Sequence, residues 1–258
     1  YNGGKALPLA LPHAIYAALR VREDDQLKIV SEDFPELSVH SLSELAKNYP
    51  ASGPGAFVGG VILGLEQALN DRGQSEKARE LAQKVPGLEV AIASSVPLSA
   101  GLSSSAALEC AIAVGIDDLA SLKLADSFEG RKLLVEAGKI AENRYVGAPT
   151  GGLDQSASML CEKDCVLELD CATWQTRSHP FDLPALGLSL LVIDTCTSHD
   201  LADGQYGARR AACEEAARVL GVKELGELVP KNIAPSDNLT DLESADYPPS
   251  WVQQQLDK

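Results

Sequence analysis

The chain has 258 residues, 45% of them hydrophobic, enough for one large or two modest domains with real cores. Its formal net charge of −15 argues against nucleic acid or an anionic membrane as a partner. No apolar run is long enough to span a bilayer and no leader peptide is visible, so a cytoplasmic, monomeric globular protein is expected.

The chain opens on Tyr1 rather than Met, as expected of a segment that starts inside a longer protein. Tyr1-Asn2-Gly3-Gly4 reads as a turn, followed by strands over Lys5–Ala10 and Ile15–Val21. Asp24-Asp25 predicts a second turn before a strand over Leu27–Val30, which runs out at Ser31. The Pro- and Gly-rich stretch 50–55 is a loop. It leads into a helix over about residues 56–70, where Val58, Ile62, Leu65 and Leu69 recur at helical spacing and face a core.

Leu88–Ala93 alternates apolar and polar and predicts a strand. Ser95-Val96-Pro97-Leu98-Ser99-Ala100-Gly101-Leu102-Ser103-Ser104-Ser105 then intervenes before an Ala-rich helix running from Ser103 to about Leu119. A strand, a tight Gly turn and a Ser-rich helix start present a concave row of backbone N–H groups that suits phosphate. The same serines could equally cap a buried helix. A further helix is predicted over 127–144, with Leu133, Leu134, Ala137 and Ile140 inward and Glu142 near its end. By pattern alone Glu142 is a solvated side chain.

Gly147-Ala148-Pro149-Thr150-Gly151-Gly152-Leu153-Asp154-Gln155 is a bent loop, and Asp154 falls where a helix begins, a position Asp fills well as a cap. A hairpin over residues 164–180 follows, and Leu188–Asp194 reads as a buried strand. Thr197–Arg210 leads into a helix with a charged outer side. Beyond Gly221 the pattern fades into a loop over 231–249 and a short helix over 251–258. The six cysteines (Cys110, Cys161, Cys165, Cys171, Cys196, Cys213) show no C-x-x-C pair, and with four scattered histidines no zinc site assembles. They are expected to be reduced and mostly buried.

The run from Pro97 to Ala106 resembles the second signature motif of the GHMP-type small-metabolite kinases, a superfamily that includes galactokinases, homoserine kinases and mevalonate kinases. That motif wraps nucleotide phosphates, so the resemblance implies ATP contacts at Pro97, Ser99, Ala100, Gly101, Leu102, Ser103, Ser104 and Ser105. Four further segments are similar to galactokinases in particular. Tyr1-Asn2-Gly3-Gly4 resembles the tail of their first motif, whose sugar-binding acidic, His and Asp residues and whose Arg would precede Tyr1. Ser31 matches a serine near the adenine end of the nucleotide. Ala141-Glu142 stands twelve residues before Asp154, as the family's Ala-Glu pair stands before its catalytic Asp. The run Tyr206-Gly207-Ala208-Arg209-Arg210 matches a segment whose Tyr reaches the sugar.

The resemblance implies a two-domain α+β fold, with a nucleotide-binding domain over residues 1–180 and the start of a second domain over 181–258. It implies Mg²⁺ on Ser105 and Glu142, Asp154 as the catalytic residue, and Gly151, Asp154 and Tyr206 against the sugar. The implied reaction is transfer of the ATP γ-phosphoryl group to the 1-hydroxyl of α-D-galactose. Alternatives are an N-acetylgalactosamine or arabinose kinase, or a non-catalytic galactose and ATP sensor. Two departures stand out: Thr150, where galactokinases often have Cys, and Gly152, where they have Ile or Val, which is expected to loosen the loop. The family's Gly-rich third motif does not occur, so the chain is expected to be cut at both ends.

Overall fold

The computed structural model describes residues 1–33, 36–97, 101–193 and 205–228. In chain order it runs β1 (Lys5–Ala6), β2 (Ile15–Arg22), β3 (Gln26–Ser31), β4 (Ser38–Ser41), α1 (Leu42–Leu45), α2 (Pro54–Asp71), α3 (Ser75–Lys84), β5 (Gly87–Ser94), α4 (Ser104–Ala120) and α5 (Phe128–Ile140). A π-helical turn (Ala141–Val146), α6 (Leu153–Leu160), β6 (Cys165–Asp170), β7 (Thr176–Pro180), α7 (Gln205–Leu220) and a 3₁₀ turn (Leu225–Leu228) complete the described chain.

The larger sheet has the order β2-β5-β3-β4. Its central pair, β3 and β5, is parallel, with Leu27 opposite Leu88 and Ile29 opposite Val90, and the outer pairs are antiparallel. Alternation places Leu27, Ile29, Leu88, Val90 and Ile92 on one face, where they meet Val58, Ile62, Leu65 and Leu69 of α2 and Ile112 and Ile116 of α4 in one core. The opposite face leaves Tyr16 and Val30 exposed. A smaller antiparallel sheet has the order β1-β6-β7, and its Leu167 packs with Val135 of α5 and Leu160 of α6.

The helices approach closely because α2 carries glycines on the side facing α5. A Cβ on Gly60 would stand 3.1 Å from the Ala141 Cβ, and one on Gly64 would stand 2.5 Å from the Ala137 carbonyl oxygen. This contact fixes where the end of α5 and the π-helical turn lie, and therefore where Glu142 lies.

The predicted helix over 127–144 forms, but its last turn is widened. Asn143 Nδ2 donates to the Lys139 carbonyl at 2.8 Å, taking the acceptor that an α-helical N–H would use, and also reaches the Thr150 carbonyl at 3.1 Å. A side chain inserted into the helical ladder distorts it in this way. Of the strand expected over Lys5–Ala10 only Lys5–Ala6 pairs regularly, since Pro8 has no N–H to give to a ladder. The buried strand expected at Leu188–Asp194 is not found. Residues 188–193 are irregular and exposed, Leu191 by 80% and Ile193 by 75%, because no strand among the described residues lies beside them; Asp194 falls outside those residues. The segments β4, α1 and α3 carry too few apolar residues to announce themselves in the sequence.

Among the described residues Cys110 is buried, whereas Cys161, Cys165, Cys171 and Cys213 are half-buried, so the expectation of mostly buried cysteines holds there only for the first; Cys196 lies outside the described residues. Among the described residues no helix is long and apolar enough to cross a membrane. The expected loop over 231–249 and helix over 251–258 lie outside the described residues.

The α2–α5 contact yields a direct prediction. Gly64→Ala gains about 1 kcal/mol of helix propensity but drives a methyl into a backbone carbonyl that cannot move aside, an overpacking that costs about 1–3 kcal/mol. Urea denaturation of the intact protein is expected to show net destabilisation; a stabilised variant would mean that the two helices separate freely.

Candidate active site

The turn before α4 is built from left-handed backbone. Gly101 has φ +71° and Ser103 has φ +53° with ψ +48°. For a serine this conformation costs roughly 1–2 kcal/mol, and it turns the chain immediately before the first residue of α4. The Ser103 side chain makes no capping hydrogen bond, so the capping role open in the sequence is not used there. The Ser105 hydroxyl points away from the helix end and donates to Glu142 Oε1 at 2.9 Å.

Glu142 is buried to 3% exposure, so the solvated position that its pattern suggested is corrected. The close α2–α5 packing and the π-helical turn draw it inward. Its second oxygen, Oε2, accepts hydrogen bonds from Thr150 Oγ1 at 2.5 Å and Gln155 Nε2 at 2.8 Å. Three elements thus converge on one carboxylate: α4, the loop before α6, and α6 itself.

Asp154 stands in the first turn of α6, whose N-cap is Gly152 at φ +81°. Gly152 is buried, and a Cβ there would press on Lys139 and Trp174 at 3.1 and 3.2 Å. The expectation that Gly152 loosens the loop is therefore corrected: glycine is the residue that takes this backbone turn without strain in a packed site. Asp154 is exposed and is not the cap of its helix.

A cavity of about 730 Å³ joins the Gly101–Ser103 turn to Asp154; Ser104, Ser105 and Glu142 are not in its lining. Gly101, Leu102 and Ser103 form one side, Asp154 and Ser158 another, and Leu9, His13 and Val96 contribute to the remaining walls. Its size is that of a small-molecule site. No Lys or Arg is in this lining, so an anion here would meet backbone N–H groups and a helix N-terminus rather than basic side chains.

The remaining predicted residues are distributed as follows. Ser31 stands at the end of β3, opposite Ile92, and accepts from the Asp33 N–H; neither it nor Pro97 nor Gly151 lines the cavity. Gly151 lies beside the Tyr1 amine, and Ser104 opens α4. Ser99 and Ala100 lie outside the described residues, as does the side chain of Tyr206. The helix carrying Tyr206 abuts the loop nonetheless: a Cβ on Gly207 would be 3.8 Å from Pro149 Cγ, and Arg210 Nη1 donates to Asn143 Oδ1 at 3.4 Å.

Could Ser105 and Glu142 hold a divalent cation? Ser105 Oγ and Glu142 Oε1 are hard oxygen donors hydrogen-bonded at 2.9 Å, near enough to share one ion of the kind that takes oxygen ligands. Oε2 is already held by two donors, leaving Oε1 for an ion. Among the described residues no group of three or more His, Cys, Asp or Glu side chains is placed to hold a metal. A cation here would complete its shell from water and phosphate, the usual habit of Mg²⁺. The residues fit the ion.

Sequence reasoning missed Thr150 and Gln155 as partners of Glu142, and it missed Glu109. Glu109 is fully buried one turn beyond Ser105, and Gln155 Nε2 donates to its Oε2 at 2.8 Å. A Glu in the middle of an Ala-rich, apolar helix side was the available signal.

The chain is similar to known proteins. The family model for the GHMP kinases N terminal domain matches residues 56–162, the span that contains the serine turn, Glu142 and Asp154. The galactokinase of Streptomyces coelicolor is 40% identical over 229 residues, 88% of this chain and 54% of that protein. The galactokinase of Actinobacillus pleuropneumoniae serotype 5b is 34% identical over 232 residues, 90% of this chain and 55% of that protein. The crystal structure of Lactococcus lactis galactokinase complexed with galactose aligns with a TM-score of 0.69 at 26% identity, over 98% of this chain and 60% of that one. The chain therefore has the mixed α+β GHMP-kinase fold, and it spans about half the length of the curated relatives it matches.

Burial first and the neighbouring Glu142 second hold the Glu109 carboxyl well above its ordinary value of 4.5. A carboxyl that binds its proton more tightly folded than unfolded contributes its full stability below the unfolded value, and that contribution is lost as pH rises through the folded one. Glu109→Gln, which cannot ionise, is expected to raise the melting temperature relative to wild type at pH 7–8, and the gain should vanish toward pH 4. An equal difference at all pH values would mean that Glu109 does not titrate in this range.

Proposed function

We propose that the protein containing this chain is a galactokinase, which transfers the γ-phosphoryl group of ATP to the 1-hydroxyl of α-D-galactose. The observation that carries the reading is that Asp154 and the Gly101–Ser103 turn line one cavity, with the Ser105–Glu142 pair joining the helices behind them. The similarity to galactokinases along most of this chain supports the choice of sugar.

In this reading the N–H groups of Gly101–Ser105 and the N-terminus of α4 grip the phosphates. The nucleotide would also run along Pro97, Ser99 and Ala100, with Ser31 toward its adenine end. Ser105 Oγ and Glu142 Oε1 would hold Mg²⁺, which when bound supplies the positive charge that the cavity lining lacks. Asp154 accepts a hydrogen bond from the sugar's 1-hydroxyl and aims its oxygen at the γ-phosphorus. A carboxylate is a much weaker base than an alkoxide, so the hydroxyl proton passes to Asp154 late, as the bond to phosphorus forms. Phosphoryl transfer of this kind rests on positioning and charge stabilisation. The fixed Gly152 turn and the buried Gln155 beside Asp154 supply the positioning.

Gly151 would lie against the sugar with Asp154. Tyr206 would approach from α7, whose first turn already lies beside Pro149. We read residues 1–180 as the nucleotide-binding domain and 181–258 as the beginning of a second domain.

The test is Asp154→Asn in the intact protein, assayed by radiolabelled phosphate transfer from ATP to galactose, N-acetylgalactosamine and arabinose. Turnover on galactose is expected to fall by more than the roughly 10²–10⁴-fold typical of general-base loss, while nucleotide still binds. Near-normal turnover in the variant would remove Asp154 from the mechanism. Preferential labelling of another sugar by wild type would reassign the substrate.

A further inference from the structure

The proposed mechanism leaves one buried ionisable side chain unused. Glu109 has no exposure, and among the described residues no cation is bonded to it. Its Oε2 accepts from Gln155 Nε2, and the same nitrogen donates to Glu142 Oε2, both at 2.8 Å. Glu109 Oε1 and Gln155 Oε1 have no hydrogen-bond partner.

The surroundings are shaped to admit this cluster. At Gly138 of α5 a Cβ would stand 3.1 Å from Gln155 Cγ and 3.3 Å from Glu109 Oε2, so a larger residue would press on both. A leucine at position 109 would fill similar space without the cost of desolvating a carboxyl. The acid is therefore expensive as packing, and its geometric consequence is specific. With both amide hydrogens of Gln155 engaged, one by each glutamate, rotating the amide breaks two hydrogen bonds rather than one. Gln155 adjoins Asp154 in sequence, so the same brace sets the register of α6.

We propose that Glu109 is a positioning residue which, through Gln155, locks the Glu142 carboxylate with Oε1 presented beside Ser105 and holds Asp154 in line with it. The inference rests on Glu142 and Ser105 being the metal-holding pair of the proposed kinase. Burial keeps the Glu109 carboxyl inclined to remain protonated, and a proton on Oε1 supplies a donor to a pair of side chains that otherwise leaves two acceptors unmatched. Glutamine at position 109 would keep an acceptor for the Gln155 amide and add a donor of its own, whereas leucine would keep only the volume.

The experiment measures Mn²⁺ affinity of the ADP-loaded intact protein by electron paramagnetic resonance, together with metal-free ADP affinity by calorimetry. The variants are Glu109→Gln, Glu109→Leu and Gln155→Met. Loss of an outer partner of a metal ligand typically costs 10–100-fold in metal affinity. That loss is expected for Glu109→Leu and Gln155→Met with metal-free ADP binding unchanged, and Glu109→Gln is expected to bind Mn²⁺ as wild type does. A folded Glu109→Leu protein with wild-type Mn²⁺ affinity overturns the positioning role. If that variant does not melt cooperatively, Gln155→Met decides in its place by the same two outcomes. A wild-type protein in which ADP creates no Mn²⁺ site overturns the metal pair itself, and this proposal with it. That failure is distinguishable because it appears before any substitution is made.

Discussion

The molecule depends on a carboxylate that has been taken out of water. Glu142 is reached by a hydroxyl from α4, a hydroxyl from the loop before α6 and an amide from α6. Burying an ionised carboxylate costs several kcal/mol. Three hydrogen bonds to it, at about 1.5–3 kcal/mol each, are of the size needed to offset that. If any of the three elements shifts, the offset fails. The arrangement therefore ties the turn before α4, the end of α5 and the start of α6 into one unit.

The backbone is shaped to serve this junction. The glycines of α2 bring it against α5 so closely that the last turn of α5 is pinned from outside, while Asn143 opens that turn from within. The left-handed residues Gly101, Ser103 and Gly152 then reverse the chain at the edges of the cavity. Positive-φ backbone is not confined to this region, since Ser121, Lys123, Asp164 and Trp174 adopt it as well.

Among the described residues no lysine or arginine lines the cavity that the proposed reading gives to a nucleotide. The chain's charge of −15 sharpens the question of how a triphosphate would be held. Exposed charges are screened beyond about 8 Å, and a helix N-terminus places roughly half a positive charge at the phosphates. In the proposed reading, backbone N–H groups would hold the phosphates, and a divalent cation on Ser105 and Glu142, which stand behind the cavity lining, would supply the charge. That is why the geometry of those two oxygens matters more here than the overall charge.

Much of this was legible in the amino-acid sequence alone. The helical spacing of Val58, Ile62, Leu65 and Leu69 determined a core-facing helix, and the alternation in Leu88–Ala93 determined a strand, because both patterns are local and periodic. The run from Pro97 to Ala106 and the loop around Asp154 were recognisable because their glycines, serines and acid are close together in the chain. Tertiary structure alone decided that Glu142 is buried, that Thr150 and Gln155 hold it, and that Glu109 stands behind them, since these hydrogen bonds join residues between 8 and 46 positions apart. It also decided that Leu188–Ile193 is exposed, for an apolar run becomes a buried strand only when a neighbour lies beside it. Periodicity records which side of an element is apolar; which elements meet, and through which polar atoms, is set by packing in three dimensions.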